Sequence, residues 1–155
     1  MTNPLITEET APEWHRAQAV DANNSIWELL ENVLRSPTDN EELLRCAYTS
    51  AYHWQRARGR GPENEARAVY MLARSHLAVG DPAAALRYAD LCAGECAAHG
   101  LADFDLAYAH EVRARALQAL GRTEDAATEW AAAKAVPIAD PEDQAILDAD
   151  LATGP

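Results

Sequence analysis

The sequence has few of the residues that stabilise secreted folds and β-sheets. Its 155 residues include three cysteines and one phenylalanine, and valine and isoleucine are scarce. The cysteine number is odd, and Cys46, Cys92 and Cys96 form no disulfide framework. The N-terminal segment contains Glu8 and Glu13 and lacks the basic and apolar regions of a secretory signal. These absences favour a cytoplasmic protein with reduced thiols and disfavour a β-rich fold.

Basic residues and long apolar runs are also scarce. Thirteen basic residues stand against 25 acidic ones, so the formal net charge is −12. Nucleic-acid phosphates and anionic membrane surfaces attract basic faces, and both repel a chain of this charge. No stretch of the sequence approaches the roughly 20 consecutive apolar residues of a membrane-spanning helix. We therefore expect neither a nucleic-acid partner nor a membrane partner.

Alanine is abundant, and glycine and proline fall mainly between apolar segments, which favours helices. Two pairs have capping-box spacing: Ser25 with Glu28, and Thr38 with Glu41. Aspartate precedes proline at Asp81-Pro82 and Asp140-Pro141, a pairing typical of helix starts. Glycines that follow apolar runs predict helix ends at three positions: Gly80, Gly100 and Gly121.

These signals predict an all-α chain of about seven helices with short connections. The predicted spans are 10–34 (with Asn23-Asn24 as a candidate break), 39–58, 62–79, 82–99, 103–120, 122–135 and 141–151. Short connections make consecutive helices antiparallel neighbours. Asp103 or Asp105 is expected to cap the fifth helix, and Phe104 and Leu106 to anchor it in the core. We expect a flexible N-terminus at 1–9 and a single helical domain at 10–151.

The middle of the chain contains a repeat with an offset of 41 residues. Three positions align at this offset: Ala73 with Ala114, Gly80 with Gly121, and Ala85 with Ala126. This pattern of small residues and glycine resembles the tetratricopeptide repeat. The resemblance implies antiparallel helical hairpins at about 10–58, 62–99 and 103–135, stacked as a short right-handed solenoid. The helix at 141–151 would then cap the stack.

Matched positions on two of these helices form a candidate groove. Arg67, Tyr70, Arg74 and Leu77 share one helix face, and Tyr108, Glu111, Arg115 and Gln118 lie 41 residues later. In tetratricopeptide proteins this face lines a concave groove that grips peptides. The resemblance therefore implies a groove in which arginines bind the carboxylates of an extended peptide. The alternative is an ordinary helix face on which Arg74 and Arg115 pair with neighbouring acids.

Two other groups of residues contain side chains that could bind a metal or act in catalysis. Cys92, Cys96 and His99 share a helix face and offer zinc or cuprous copper ligands, to which Cys46 or His76 could add a fourth. The ordinary alternative is a pair of core cysteines.

An aromatic cluster precedes the repeat. Tyr48 and Tyr52 lie four residues apart and are expected to stack, and Trp27 fits an apolar stripe that continues to Val33 and Leu34. His53 and Trp54 follow and are expected to line a pocket at one end of the groove. A histidine there could act as an acid or base, although most such histidines only satisfy a hydrogen bond.

The favoured function is an adaptor that binds a segment of another protein in the groove. The alternative is a small-molecule or metal-binding protein, with catalysis by the His/Trp/Arg pocket left open. A self-assembling domain, including a homodimer, is a third option. The sequence contains no serine-nucleophile motif, paired Glu-x-x-His set or dinucleotide fingerprint, so no cofactor is expected and an enzyme is disfavoured.

Overall fold

A computed structural model describes residues 6–155, which form seven α-helices and no strand. The helices are α1 (Ala11–Glu31), α2 (Pro37–Trp54), α3 (Pro62–Ala78), α4 (Pro82–His99), α5 (Asp103–Ala119), α6 (Thr123–Ala135) and α7 (Pro141–Leu151). The all-α prediction is confirmed. Most of the segment expected to be flexible, 1–9, lies outside the described residues. None of the described helices is long and apolar enough to cross a membrane.

Proline and aspartate mark helix starts as the sequence predicts. Helices α4 and α7 begin at proline, and the preceding aspartates accept backbone hydrogen bonds. Asp81 accepts from the N–H of Ala84 at 3.1 Å, and Asp140 from the N–H of Glu142 at 2.8 Å. Each carboxylate satisfies a donor that the first helical turn leaves without a partner.

Both predicted capping boxes are wrong. The box of α2 is formed by Ser36, whose Oγ accepts from the N–H of Asp39 at 3.1 Å. The Asp39 carboxylate accepts in return from the N–H of Ser36 at 2.8 Å. Because Pro37 occupies the first helical position, Thr38 already lies inside the first turn. The capping box of α2 therefore begins two residues earlier, at Ser36, than the sequence predicts.

Helix α1 runs without a break through Ser25 and the predicted break at Asn23-Asn24. The Ser25 hydroxyl donates to the carbonyl of Asp21 at 3.2 Å, as mid-helix serines often do. Burial of Ile26 and of two alanines against α2 outweighs the weak helix propensity of the asparagines. The helix ends at Glu31, so Val33 and Leu34 fall outside the predicted stripe and are each 87% exposed.

The predicted glycine stops are confirmed. Gly80 and Gly100 have φ values of +82° and +63°, in the left-handed region that favours glycine. The N–H of the following residue then reaches back over the last turn, from Asp81 to His76 at 2.9 Å and from Leu101 to Cys96 at 2.9 Å. These bonds close α3 and α4 and turn the chain sharply.

The start of α5 differs from the prediction. Its N-cap is Ala102, and Asp105 does not act as a cap. Asp103 has a φ of +56°, and its carboxylate accepts from the N–H of Phe104 at 2.7 Å and of Ala139 at 2.9 Å. Asp103 thereby ties α5 to the connection between α6 and α7. Phe104 packs against the core as expected.

Consecutive helices pack against one another, and α3 also contacts α5 and α1, while α7 contacts α5 and α6. The repeat positions lie in these contacts. All four aligned alanines are fully buried: Ala73, Ala85, Ala114 and Ala126. A side chain this small lets neighbouring helix backbones approach closely. The aligned small residues that suggested a repeat therefore lie in buried contacts between helices.

Candidate functional site

A cavity of about 360 Å³ opens between α1, α3, α5 and α7, with one contribution from α4. Its walls are mostly apolar or aromatic: Trp27, Ala66, Tyr70, Cys92, Phe104, Tyr108 and Ile146. Its charged members are Arg67, Arg74, Asp105 and Asp150. Apolar walls with a few placed polar groups are the usual composition of ligand pockets. We call this space the central cavity.

Aromatic rings form much of the central cavity wall. Tyr108 lies 4.6 Å from Phe104 and 5.6 Å from Tyr70, measured between ring centroids. The Tyr108 hydroxyl donates to the Asp150 carboxylate, which joins α5 to α7. Burial raises the pKa of Tyr108, so this hydroxyl keeps its proton and remains a donor.

Two apolar lining residues remain accessible to solvent. Trp27 is 42% exposed and Ile146 is 52% exposed, on α1 and α7 respectively. Their chain neighbours Ile26 and Leu147 are buried, because adjacent helical positions point in different directions. The cavity therefore presents unpartnered apolar surface on two helices that the predicted groove did not include.

Arg67 already has a matched partner in the cavity. Its Nε and Nη2 groups donate to the two carboxylate oxygens of Asp105 at 2.7 and 3.2 Å. The hydrogen bond to Asp105 raises the pKa of Arg67. A bidentate pair of this kind neutralises both charges, so a ligand carboxylate at Arg67 would have to compete with Asp105.

Behind the cavity wall lies a buried carboxylate, that of Glu111, which has no exposed surface. The Tyr70 hydroxyl donates to its Oε2 at 3.3 Å, and Arg115 donates to its Oε1. The Arg74 guanidinium lies 3.6 Å from the same Oε1. Burial, together with the Glu111 charge, holds the pKa of Tyr70 well above its ordinary value. We call these four residues the Glu111 network.

Arg115 belongs to this network and does not line the central cavity. Besides Glu111, it donates to the carbonyls of Gly154 at 3.1 Å and Asp150 at 3.2 Å, and to the Thr153 hydroxyl at 3.0 Å. Its guanidinium also lies 5.1 Å from the centre of the Trp130 ring. Arg115 therefore joins α5 to the end of α7, which supports the alternative in which it pairs with neighbouring acids.

Arg74 differs from the other two arginines. Its Nη1 donates to the Tyr70 hydroxyl at 3.3 Å, while its Nε and Nη2 make no hydrogen bond within residues 6–155. It lines the central cavity and also a smaller adjoining one of about 290 Å³, where Arg35 and Arg115 contribute further positive charge. Arg74 thus has donors left for a ligand and, unlike Arg67, has no bidentate carboxylate partner.

Three predicted groove residues lie elsewhere. Gln118 is half-buried near the end of α5 and does not line the cavity. The Arg16 guanidinium lies over Trp54, with its Cζ atom 5.3 Å from the ring centroid. Trp54 also borders an open polar depression of about 610 Å³. The Nδ1 atom of His53 lies 2.6 Å from that of His15 on α1. Burial, and then the neighbouring His15 and Arg56, lower the pKa of His53.

Cys92 and Cys96 contact each other, but no third predicted metal ligand joins them among the described residues. Cys92 and Cys96 are 2% and 1% exposed, and the Cys92 thiol donates to the carbonyl of Ala66 at 3.3 Å. His99 is half-exposed at the helix end and lies 3.4 Å from Glu95. Among residues 6–155, no three histidine, cysteine, aspartate or glutamate side chains converge in a way that could hold a metal ion. Hydrogen bonding to Cys96 and burial raise the pKa of Cys92, as expected of a core thiol.

A second polar cluster joins α2, α3 and α4. The Tyr48 hydroxyl lies 2.9 Å from His76 Nε2 and 3.0 Å from the Tyr88 hydroxyl. His76 stacks on Tyr88 with ring centroids 5.4 Å apart and is 7% exposed. Its Nδ1 makes no hydrogen bond within the described part of the chain, and the Asp81 carboxylate lies 3.8 Å away. Tyr48 thus contacts these rings, whereas Tyr52 contacts His15 and His53.

Sequence reasoning missed Trp27 and Ile146 as cavity residues. The sequence places Trp27 in an apolar stripe, although its neighbour Ile26 competes for the same face. The prediction that the helix at 141–151 caps the stack does not anticipate Ile146, which lies beside the buried Leu147. A comparison with protein-family models, with curated proteins and with solved structures found no significant match to this chain.

Proposed function

We propose that this chain is an adaptor that binds an extended segment of a partner protein through the central cavity. In this proposal its three hairpins stack as a short tetratricopeptide-like solenoid. The observation that carries the proposal is the accessible apolar surface of Trp27 and Ile146 beside an aromatic-walled cavity. Placing an apolar side chain of the partner there removes apolar surface from water on both sides, worth about 25 cal/mol for each Å².

The cavity suits one anchoring side chain better than a row of carboxylates. Arg67 is matched by Asp105, and Arg115 is committed to Glu111 and the C-terminal segment. The predicted recognition by three arginines therefore reduces to recognition by Arg74. A partner segment of matching chemistry has a large apolar or aromatic residue with an acidic residue beside it. The apolar side chain enters the cavity, and the carboxylate accepts from Nε and Nη2 of Arg74.

The test is selection from a random peptide display library on the purified chain. We expect the recovered peptides to share an aromatic or large aliphatic residue next to an acidic residue. Trp27→Ala and Ile146→Ser should weaken binding of these peptides, since each removes an accessible wall of the cavity. Leu91→Ser is the matched control, because Leu91 is 51% exposed on α4 and does not line the cavity.

Two results would contradict the adaptor proposal. One is a selection that yields no shared motif. The other is a set of peptides that bind Trp27→Ala and Ile146→Ser as well as the wild type, which would place the binding surface elsewhere.

A second candidate is a small molecule with an apolar body and an acidic group. The cavity volume of about 360 Å³ supports it, because ligand pockets span roughly 300–1,000 Å³. Native mass spectrometry of the freshly purified chain separates the two candidates. A retained organic mass that disappears in Trp27→Ala favours the small molecule, and a bare chain that selects peptides favours the adaptor.

A further inference from the structure

His15 and His53 face each other across the contact between α1 and α2. Their Nδ1 atoms are 2.6 Å apart, and their ring planes are inclined by 41°. Both side chains are half-buried, so the pair is open to solvent on one side. At most one proton fits between two nitrogens at this distance, so at least one Nδ1 presents its lone pair to the other ring.

The two helices hold this pair in place. The Ser50 hydroxyl donates to the carbonyl of Ala19 at 3.0 Å, one helical turn away from the histidines. Both residues are buried, and Ala47 is buried beside them. The helix backbones therefore cannot separate freely, and the histidine distance changes mainly through the side-chain torsions. A site whose ligands are held in place before binding loses little entropy on binding.

We propose that His15 and His53 form a binding site for a divalent copper ion, ligated by both Nδ1 atoms. This site lies outside the central cavity and shares none of its lining residues, so it goes beyond the proposed peptide function. Copper is preferred among first-row divalent ions by nitrogen ligands, and imidazole suits it. Ligation requires the shared proton to leave or to move to an Nε2 atom, which frees the second Nδ1 lone pair.

Geometry favours copper over zinc. With nitrogen ligands at about 2.0–2.1 Å, cis positions of a square plane lie roughly 2.9 Å apart, and tetrahedral positions roughly 3.4 Å apart. The observed 2.6 Å is close to the square-planar edge and well short of the tetrahedral one. Cupric ions adopt tetragonal coordination, whereas zinc is tetrahedral. Binding copper therefore requires a smaller increase in the distance between the two Nδ1 atoms than binding zinc would.

The surroundings define the rest of the coordination. No third histidine, cysteine, aspartate or glutamate of residues 6–155 joins the pair, so water fills the remaining positions. Trp14 lies 5.1 Å from His15 and 5.2 Å from His53, between ring centroids. The nearby cation is Arg56, whose guanidinium stacks on Tyr52 at 3.7 Å. The net charge of −12 attracts a dication to the chain as a whole.

The test is a titration of the purified chain with copper(II) chloride in a buffer that does not coordinate copper, read by pulsed electron paramagnetic resonance. We expect one ion per chain with two imidazole nitrogens, and a fall in tryptophan fluorescence, because Trp14 lies beside the ion. His15→Gln and His53→Gln should each lose the two-imidazole signature. His99→Gln, which removes a half-exposed histidine on α4, should retain it.

Two readouts do not depend on the variants. Counting the imidazole nitrogens in the wild type tests the ligand assignment directly, and one nitrogen or none overturns it. Zinc chloride at equal concentration should fail to displace copper, and displacement would overturn the preference for copper. Retention of the two-imidazole signature in either His15→Gln or His53→Gln would likewise overturn the proposal.

Discussion

The carboxylate of Glu111 explains why the predicted groove differs from the observed site. A fully buried, ionised carboxylate without partners costs several kcal/mol, so it requires neighbouring donors. Arg115 and Tyr70 supply those donors, and Arg74 adds a positive charge 3.6 Å away. Residues whose spacing is typical of a ligand-binding face are therefore largely occupied in stabilising the fold.

Replacement of Arg115 should change stability. Arg115→Ala removes a charged donor from Glu111 and several bonds to the C-terminal segment. We expect the free energy of unfolding to fall by about 3 kcal/mol, the lower end of the range for breaking a buried pair, because Arg74 remains near Glu111. Urea denaturation monitored by circular dichroism measures this change in the free energy of unfolding.

Arg67→Ala is the control for that experiment. Arg67 also pairs with a carboxylate, but its side chain is 59% exposed, and exposed pairs contribute about 0–1 kcal/mol. Equal losses in the two variants would show that the Glu111 network does not stabilise the fold as argued.

His76 should make stability depend on pH. Burial lowers its pKa, which the Asp81 charge opposes and the Arg87 charge reinforces. In the unfolded chain an imidazole has a pKa of about 6.5. Near and below that pH the unfolded state therefore binds more protons than the native state. The contribution of His76 is therefore complete above pH about 6.5 and is lost as the pH falls through its lower native value.

Denaturation of the wild type and of His76→Gln between pH 7.5 and 5.5 measures this contribution. Glutamine keeps a polar partner for Tyr48 but does not titrate. We expect the free energy of unfolding to decline less steeply with falling pH in the variant. Identical slopes would mean that His76 takes up its proton as readily in the native state as in the unfolded one.

Among the helices, the sequence predicted starts and ends well where the local backbone geometry strongly favours one residue type. The first helical position favours proline, and a helix end with positive φ favours glycine, as at Pro82 and Gly100. Serine and threonine are less specific. Ser25 lies inside a helix, and Ser36 caps α2 in place of Thr38. Serine and threonine side chains can each bond to several nearby backbone groups, so their positions do not fix a cap.

The α2 cap can be tested with two neighbouring residues. Ser36→Ala removes the acceptor of the Asp39 N–H and should lower the free energy of unfolding by about 1 kcal/mol. Thr38→Ala, at an exposed position in the first turn, should change it by less than about 0.5 kcal/mol. Thermal unfolding of the two variants distinguishes the assignments. A larger loss in Thr38→Ala would restore the original interpretation.

In the molecule as a whole, α7 has a larger role than that of a cap on the stack. It buries Leu147 and Leu151 against α5 and α6, and Asp150 accepts from the Tyr108 hydroxyl. It also contributes Ile146 to the central cavity. The helix therefore joins the core to the candidate binding surface.

Adjacent substitutions on α7 should separate these two roles. Leu147→Ala creates a buried void and should lower the free energy of unfolding by about 2–5 kcal/mol. Ile146→Ala, at a site that is 52% exposed, should lower it by less than about 1 kcal/mol. Urea denaturation provides the measurement. Similar losses would indicate that α7 packs differently from the arrangement described.

Sequence patterns predicted the all-α class, the number of helices and most of the helix ends, because capping, proline and glycine act within a few neighbouring residues. They also identified four alanines that are fully buried, since the recurrence of these alanines follows the packing of successive helices. Which charges are neutralised and which side chains share a site depends instead on how the helices pack in three dimensions. Glu111 meets Tyr70 across 41 positions of sequence, and His15 meets His53 across 38. Such pairs form through helix packing, and no local pattern specifies the direction in which each side chain points.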